Sequence, residues 1–511
     1  METLNLMIKV LLVYPRYPDT FWSFRNALKF VKKKASHPPL GLLTIASLLP
    51  KDFRLKVLDL NTSPLNLEFF KWADWVLISA MSVQRESAEE VIKIAKSLGK
   101  TVIAGGPLFT AFYQDFIEKV DHLVLNEGEI TLPKFLEDWE KGCPQKVYYT
   151  SEFVDLKFSP VPSYHLIKLK DYTSMCIQYS RGCPFSCEFC DVTNLFGRKI
   201  RTKTVDQIIA ELENLYKLGW RGSVFFVDDN FIGKKPTVKQ ELLPSLIRWQ
   251  EKHRYPFVFY TQASINLADD DELIELLVKA GFNSVFIGIE TPVEESLAEV
   301  QKRQNLNRNL VEDVKKIQRK GLEVMGGFIV GFDSDPPNVF NSLVKFIEES
   351  KIVIAMVGLL NAPPGTNLYQ RLKTEGRIRP LFKGNNTDLS TNIIPKMGFE
   401  TLLQGYKKVI TNLYETKRYY KRVFGFLKDF NPYTHIKIDK AYVKNHPFYL
   451  LNLPKIIFKF GVLEKGRILF WKMFFYTFFK KPKVFATFIA QVLGGYHFRK
   501  VFRPFFLSGK I

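Results

Sequence analysis

The stretch Arg181-Gly-Cys-Pro-Phe-Ser-Cys-Glu-Phe-Cys190 places three cysteines on one short loop. Cys183, Cys187 and Cys190 follow the spacing C-x3-C-x2-C. Three thiolates on such a loop can hold three corners of a four-iron cluster, which ordinarily takes four cysteines. The fourth iron is then free to bind a substrate. The spacing therefore predicts a catalytic cluster rather than a structural one.

A structural zinc site is the alternative to this cluster. Zinc prefers four protein ligands, usually supplied as paired C-x2-C motifs, and the sequence has no second pair. The other two cysteines, Cys143 and Cys176, are too few for an auxiliary four-cysteine cluster. We expect each of them to be a small buried hydrophobe. A labile cluster without a disulfide framework favours a reducing compartment.

Length and composition bound the architecture. A chain of 511 residues with 46% hydrophobic content is expected to form two or three domains with sizeable cores. Residues 1–10 lead into a strand-like segment without a basic n-region, which predicts no signal peptide. No apolar stretch reaches the length of a spanning helix. We therefore expect a cytoplasmic protein, with peripheral contact to the inner face of the membrane at most.

The positive charge is concentrated at the end of the chain. Residues 455–511 hold twelve Lys and Arg against one Glu, a net charge of +11 out of +21 for the whole chain, together with sixteen aromatic residues. Basic and aromatic residues interleaved in this way are typical of a membrane-surface element. A helical core with solvated lysines and an RNA-binding surface are the alternatives. Of the three, the composition favours peripheral membrane contact, and nucleic acid is the least expected partner.

Residues 1–150 alternate strands with helices, which predicts a doubly wound, Rossmann-like parallel sheet. The predicted strands are residues 7–14, 55–59, 75–79, 101–104 and 123–125, and the predicted helices are 40–49 and 88–98. Ligands bind such sheets outside the carboxyl ends of the strands. Polar residues and glycines follow the strands at these points, and we expect them to line a ligand crevice: Asp59, Ser79, Gly105, Gly106, Glu127 and Gly128.

A second alternating unit follows a predicted linker at residues 151–170. Within residues 171–375 the predicted strands are 175–179, 223–228, 257–260, 284–289, 323–330 and 354–360, and the predicted helices are 205–218, 242–253, 271–280 and 310–320. Six such units predict a partial TIM-like (β/α)6 barrel, with chemistry at the carboxyl face. Residues 376–511 are expected to be mainly helical and to cover the mouth of this barrel.

The cysteine loop, with Gly182 and Pro184 beside the first cysteine and Phe189 before the last, resembles the signature of the radical SAM superfamily. The resemblance implies a 4Fe-4S cluster whose open iron binds S-adenosylmethionine (SAM). It also implies one-electron cleavage of SAM to a 5'-deoxyadenosyl radical, and hence a reducing electron donor of the flavodoxin or ferredoxin type.

The same resemblance implies roles for polar residues that follow the barrel strands. Asp228 and Asp229 are expected to accept hydrogen bonds from the SAM amino group, a charge-assisted contact, and capping of the next segment is the alternative. Ser264 could reach the ribose or the substrate, and Glu290 matches a position that often contacts the ribose. The remaining expected contacts are Asn230, the carboxylate partners Lys302 and Arg303, and the adenine-cradling glycines Gly327 and Gly331.

Residues 1–150 resemble the cobalamin-binding domain that precedes many radical SAM enzymes, with Pro38-Pro39-Leu40-Gly41-Leu42 as its entry. The Asp-x-His-x-x-Gly loop of the cobalamin mutases is absent, since His37 and His122 stand in other contexts. Members of the radical SAM branch commonly lack that loop. The resemblance therefore implies cobalamin, and a sheet that has lost the corrin is the alternative.

Longer runs are similar to the hopanoid C-2 methylase family across nearly the whole length. They are residues 180–184, 227–233, 288–292, 327–335 and 360–366. This similarity implies that a methyl group passes from SAM to cobalamin and then to an unactivated carbon of a hopanoid- or isoprenoid-type lipid. The alternatives are radical coupling or cyclisation of lipid chains without cobalamin, radical modification of RNA, and a corrin- or redox-sensing binding module.

Overall fold

The computed structural model describes residues 7–380, 382–385, 387–432 and 447–503. The predicted first sheet is present and has six parallel strands in the order β2-β1-β3-β4-β5-β6. These strands are β1 (Lys9–Tyr14), β2 (Arg54–Asp59), β3 (Trp75–Ser79), β4 (Thr101–Gly105), β5 (His122–Val124) and β6 (Val147–Tyr148). The strand order reverses between β1 and β3, the point where sheets of this topology bind ligands.

Strand β1 shows why this sheet lies at the centre of its domain. Leu11 and Val13 pack into the core on one face, and Val10 and Leu12 into the core on the other. All four side chains are fully buried. A parallel strand covered on both faces needs such an uninterrupted apolar run.

The second sheet is the predicted six-stranded partial barrel, with parallel strands in the order β14-β13-β12-β11-β10-β7. Its strands are β7 (Ser174–Ile177), β10 (Gly222–Phe226), β11 (Phe257–Gln262), β12 (Phe282–Glu290), β13 (Glu323–Val330) and β14 (Ala355–Leu359). A short antiparallel ribbon, β8 (Ser180–Arg181) and β9 (Arg201–Thr202), closes the loop that carries the three cysteines. The two parallel sheets and the helical C-terminal region confirm the predicted fold class.

Helices cover both sheets and form the C-terminal region. Those of seven or more residues are α1 (Leu40–Ala46), α2 (Arg85–Ser97), α3 (Gly128–Glu140), α4 (Val205–Lys217), α5 (Leu243–Lys252), α6 (Asp271–Lys279), α7 (Leu310–Arg319), α8 (Val339–Ser350), α9 (Asn367–Thr374), α10 (Phe399–Tyr414), α11 (Thr416–Asp429), α12 (Pro447–Phe458), α13 (Arg467–Phe475) and α14 (Phe485–Val501). The prediction missed α3, α8, α9, β6 and the β8–β9 ribbon. The two-residue strands carry too little periodicity to be seen in sequence.

The C-terminal helices do not lie where the sequence suggested. Leu402, near the start of α10, packs against Gly331 just beyond the carboxyl end of β13. Tyr414, at the end of α10, donates a hydrogen bond (2.6 Å) to the carbonyl of Ala355, the first residue of β14. Helix α10 therefore runs down the outside of the barrel, so for this helix the expected position over the barrel mouth is wrong. Residues 433–446 of the predicted helical region and residues 504–511 of the predicted basic tail lie outside the described residues.

Glu323, the first residue of β13, hydrogen-bonds to the side chain of Gln491 on α14. Burial raises the pKa of Glu323 from 4.5 to about 7. The folded state thus binds this proton more tightly than the unfolded chain, so this group's contribution to the free energy of unfolding falls as pH rises from about 4.5 to about 7.

Replacing Glu323 by Gln is expected to remove this pH dependence, because the Gln amide does not titrate and stays neutral in the buried site at every pH. At pH 8 the variant should gain about 2 kcal/mol in the free energy of unfolding. Denaturant unfolding at pH 5 and pH 8 measures the effect, with Glu295→Gln, an exposed position, as the control. Equal pH slopes for the Glu323 variant and the unaltered protein would contradict the prediction.

Among the described residues, the helices include none that combines the length and the apolar character needed to cross a bilayer.

Candidate active site

The cysteine loop is held in shape by its own backbone. The Cys183 N–H donates to the carbonyl of Gly197 (3.2 Å), and the Cys190 N–H donates to the carbonyl of Cys187 (3.1 Å). Gly182 has a φ of +97°, and a Cβ there would lie 2.7 Å from the carbonyl oxygen of Lys199. Only glycine fits this close approach. These contacts fix the backbone of the cysteine loop at Gly182, Cys183 and Cys190.

Burial and a nearby cation act on two of the three thiols. Burial raises the pKa of the Cys190 thiol to about 12 and also raises that of Cys183, while the nearby ammonium of Lys302 opposes both shifts. As the side chains stand, the described residues include no group of three or more His, Cys, Asp and Glu arranged around a single metal ion. A cluster differs from a single ion because each thiolate binds its own iron. Three soft thiolates on one loop, beside a cation, match the donor set of a 4Fe-4S cluster.

The two aspartates predicted to contact SAM have different surroundings. Asp228 is fully buried and accepts hydrogen bonds from the backbone N–H of Tyr179 (3.1 Å), the backbone N–H of Ser180 and the Ser180 hydroxyl (2.5 Å). Its carboxylate thus anchors the start of the cysteine loop, which corrects the prediction that it faces SAM. Burial and the adjacent Asp228 raise the pKa of Asp229 to about 7. Asp229 is only partly buried and stays a candidate contact.

The other predicted SAM contacts fall into two groups at the carboxyl ends of the strands. In the first, Asn230 accepts a hydrogen bond from the backbone N–H of Ser264 (3.2 Å). In the second, Glu290 accepts one from the ammonium of Lys302 (2.7 Å). Glu290 has a φ of +65°, so the backbone turns sharply there to aim its carboxylate at Lys302. Arg303 is exposed, one residue beyond this pair.

The two predicted adenine-cradling glycines have side chains packed against them. The ring of Phe286 lies over Gly327, where a Cβ would be 2.6 Å from it, and Leu402 lies against Gly331. The Gly331 N–H donates to the carboxylate of Asp335 (2.8 Å). These contacts account for both glycines through packing, and an adenine contact stays a prediction.

The predicted crevice residues at the carboxyl edge of the first sheet are of two kinds, and the first kind are carboxylates bound by the barrel half of the chain. Asp59 is buried and accepts a hydrogen bond from the hydroxyl of Tyr172 (2.8 Å), and burial raises its pKa. Glu127 is ion-paired with Arg181 and Arg201. Both carboxylates are therefore engaged by the barrel half of the chain, which corrects their predicted role as ligand contacts.

Small residues line the rest of this edge. A Cβ at Gly105 would lie 2.5 Å from the carbonyl of Val124, one at Gly106 2.6 Å from the Ser79 hydroxyl, and one at Gly128 2.5 Å from the side chain of Ile45. Ser79, Gly105 and Gly106 therefore leave the carboxyl edge next to the β1–β3 reversal without large side chains of its own, which close approach of a flat ligand to the backbone requires. The residues present fit a corrin at this position.

Three residues beside the cysteines were not predicted. The Gln304 amide lies 3.7 Å from the Cys187 sulfur. Glu188, which lies between Cys187 and Cys190 in the sequence, is buried. Its carboxylate accepts hydrogen bonds from Nε and a terminal nitrogen of Arg371 (2.8 and 3.0 Å). Arg371 is 183 residues away in the chain, so no local pattern could have revealed the pair. The signal that the sequence offered for this pair was the charge of Glu188, which stands between Cys187 and Phe189.

Comparison with protein families agrees with this geometry. The B12 binding domain model matches residues 30–136, the radical SAM superfamily model matches residues 177–347, and a domain of unknown function, DUF4070, matches residues 366–506. The three matches follow the order of the two sheets and the helical region.

Among curated proteins, an uncharacterized methyltransferase of Synechocystis is 42% identical over 96% of this chain and 91% of its own length. The hopanoid C-2 methylase of Rhodopseudomonas palustris is 34% identical over 91% of this chain and 88% of its own length. Both similarities extend over almost the full length of each protein.

Among solved structures, the cobalamin-dependent SAM radical enzyme OxsB with aqua-cobalamin bound has a TM-score of 0.62 at 14% identity, covering 98% of this chain and 80% of its own. TsrM from Kitasatospora setae, with cobalamin and a 4Fe-4S cluster bound, has a TM-score of 0.58 at 16% identity, covering 74% of this chain and 80% of its own. These likenesses show a shared fold. Together with the family matches and the full-length relatives, they show that this chain belongs to the cobalamin-dependent radical SAM methyltransferases, enzymes whose cofactors are a 4Fe-4S cluster, SAM and cobalamin.

Proposed function

We propose that this enzyme methylates an unactivated carbon of a lipid-like substrate of the hopanoid or isoprenoid type. The observation that carries this proposal is the full-length relative at 34% identity whose name gives a hopanoid as its substrate. Other relatives are named for different substrates, among them bacteriochlorophyllide d. The substrate class therefore needs a second line of support from the chain itself.

That support comes from an exposed apolar surface in the C-terminal region, which we call the tail patch. Its large side chains are between 49% and 80% exposed: Phe458, Val462, Leu463, Ile468, Phe475, Phe478 and Phe479. Exposed basic residues stand among them, including Lys455, Lys465, Arg467, Lys472 and Lys480. Other aromatics of the same region, such as Phe470 and Phe488, are fully buried. The tail thus has both a packed core and an apolar, cationic outer face, which fits contact with an anionic membrane surface.

The chain's own residues divide the work of the proposed reaction. Cys183, Cys187 and Cys190 would hold the cluster, with Lys302 as the adjacent cation. Asp229 would bind the SAM amino group, while Glu290 keeps Lys302 in place through the 2.7 Å contact. When bound, the cluster supplies the electron that cleaves SAM and cobalamin carries the methyl group. The electron would come from a small reducing carrier of the flavodoxin or ferredoxin type.

Lipid mass spectrometry of a host with and without this protein tests the substrate class. The expected result is a lipid heavier by one methyl group only when the protein is present. An unchanged lipid profile together with a methylated RNA nucleoside or tetrapyrrole would overturn the proposal. The match to the B12 binding domain model disfavours radical coupling or cyclisation without cobalamin.

Membrane contact through the tail patch makes a separate prediction. Replacing Phe475, Phe478 and Phe479 together by Ser should lower partition onto vesicles with anionic headgroups by about 100-fold, since each ring contributes about 1 kcal/mol of apolar burial. Vesicle sedimentation measures the partition. Phe158→Ser is the matched control, because Phe158 is 68% exposed and lies outside the tail.

Binding that is unchanged in the triple variant would remove the tail patch as the membrane contact. Binding of the unaltered protein to tRNA instead of vesicles, with steep loss in salt, would support the RNA alternative. Because apolar burial is not screened by salt, vesicle binding is expected to persist where phosphate contacts are lost.

A further inference from the structure

Four charged side chains join the two sheets of this protein, and we call them the domain clasp. They are Glu127 and Glu129 at the start of α3 and Arg181 and Arg201 on the β8–β9 ribbon. Arg181 contacts Glu127 at 2.5 Å and Glu129 at 2.7 Å, and Arg201 contacts Glu127 at 2.8 Å. Two carboxylates and two guanidinium groups make the set neutral as a whole.

The domain clasp is closed to solvent. The side chains of Glu127 and Glu129 are 2% and 5% exposed, and those of Arg181 and Arg201 are 12% and 11% exposed. Burial alone would raise the pKa of Glu129, but Arg181 holds it below its ordinary value. An exposed ion pair contributes little and has no fixed geometry, whereas buried forked contacts between arginine and carboxylate have a definite direction.

Further hydrogen bonds set the orientation of both arginines. The Arg181 Nε donates to the side-chain oxygen of Gln178 (2.9 Å). Arg201 donates to the backbone carbonyls of Val154 (2.7 Å) and Phe196 (3.0 Å). Arg181 and Arg201 are also directly paired across the ribbon. Neither guanidinium can move without breaking several contacts.

The position of the domain clasp relates it to both cofactor sites. Arg181 lies two residues before Cys183, and the cysteine loop is the connection between β8 and β9. Glu127 and Glu129 lie in the turn and helix start that come after the carboxyl end of β5, on the same edge of the first sheet as Gly105 and Gly106. The clasp thus connects the loop that holds the cluster with the edge where a corrin fits.

We propose that Glu127, Glu129, Arg181 and Arg201 are positioning residues that set the separation between the cobalt of cobalamin and the cluster. The inference rests on the proposed methyl transfer. A substrate carbon must lose a hydrogen atom beside SAM and receive a methyl group from cobalamin within the same cavity. A shift of about 1 Å between the two centres would impair that transfer without removing either cofactor.

The test uses the holoenzyme with Glu127→Gln and Glu129→Gln combined. Cob(II)alamin and the reduced cluster both carry an unpaired electron, so the cluster speeds the relaxation of the cobalt spin with a steep dependence on distance. In the unaltered protein, reduction of the cluster should raise the microwave power that saturates the cob(II)alamin signal. In the double variant this enhancement should be measurably smaller, because the two spins move apart, while iron, cobalamin and 5'-deoxyadenosine formation are retained. Hydrogen exchange in the β8–β9 ribbon should accelerate about 100-fold.

Glu137→Gln is the matched control, because Glu137 lies on the same helix and forms an exposed pair with Lys141. Its relaxation and exchange should equal those of the unaltered protein. If the double variant fails to bind either cofactor, Arg201→Lys takes its place, since lysine keeps the charge and loses the fork. Arg201→Lys should show partial loss of the enhancement.

Two results would overturn the proposal. The first is unchanged cob(II)alamin spin relaxation in a cofactor-loaded clasp variant in which hydrogen exchange of the β8–β9 ribbon has accelerated. The second is unchanged hydrogen exchange of the ribbon in that variant. A failure of the proposed function would look different. In that case the ribbon would still open in the clasp variants, but the unaltered protein itself would methylate no lipid.

Discussion

Replacing any one of Cys183, Cys187 and Cys190 by Ala is expected to reduce 5'-deoxyadenosine formation to background. Two thiolates do not retain the cluster, so no cluster remains to transfer an electron to the sulfonium of SAM. The measurement is anaerobic reconstitution followed by iron and sulfide analysis and chromatography of the SAM products. Iron content should fall together with the product.

Cys143→Ala and Cys176→Ala are the controls for this prediction. Cys143 is exposed, so the expectation that it is buried is wrong, whereas Cys176 is buried as expected. The two controls therefore sample an exposed and a buried thiol outside the cysteine loop. Both variants should retain the cluster and form 5'-deoxyadenosine. Retained SAM cleavage in a loop variant, or its loss in Cys143→Ala, would exclude the assignment of the three ligands.

The second large effect is expected from Asp228→Asn. The carboxylate of Asp228 accepts from the backbone of Tyr179 and from Ser180, and an amide would turn a donor toward these donors. With one buried charge removed and its partners left unsatisfied, the variant should lose about 3 kcal/mol of stability. Thermal unfolding and iron content should both show the loss, because these contacts anchor the cysteine loop.

Asp229→Asn is the matched control for Asp228, since it makes the same chemical change at the neighbouring position. It should keep iron and stability but bind SAM about tenfold more weakly, through the loss of one charge-assisted hydrogen bond. Equilibrium binding of SAM to the reconstituted proteins measures this. A normal iron content in Asp228→Asn with a low one in Asp229→Asn would reverse the two roles.

These two aspartates show how far sequence reasoning reaches at such a site. Both follow a barrel strand, and both were expected near SAM, because strand ends in parallel sheets converge on one face. The direction in which each side chain points depends on the register of β10 beside β7, where Phe226 pairs with Ile177. That register turns Asp228 inward to the backbone of the cysteine loop, and no local pattern records it.

Glu127 and Asp59 illustrate the same limit on the first sheet. Their positions after strands were predicted correctly, but their partners, Arg181 and Tyr172, are 54 and 113 residues away. A carboxylate at a strand end binds whichever cation or donor the other domain presents. In this protein the barrel half presents both, so two predicted ligand contacts are instead contacts between domains.

The tail shows a different kind of limit. Its composition predicted a basic, aromatic surface but could not separate membrane contact from a packed core. The structure contains both, with Phe470 fully buried and Phe479 72% exposed on the same stretch of helix. Apolar residues occur all round α13, so the periodicity that usually separates inside from outside is missing.

The sequence by itself determined the cofactor chemistry and the two sheets. The spacing of three thiols is a covalent property of the chain, and the apolar strands between helices have few alternative arrangements. Tertiary structure alone decided which polar side chains stay available at the two cofactor sites. That choice depends on contacts between residues far apart in the chain, since a buried charge must find a partner and only the packed domains supply it.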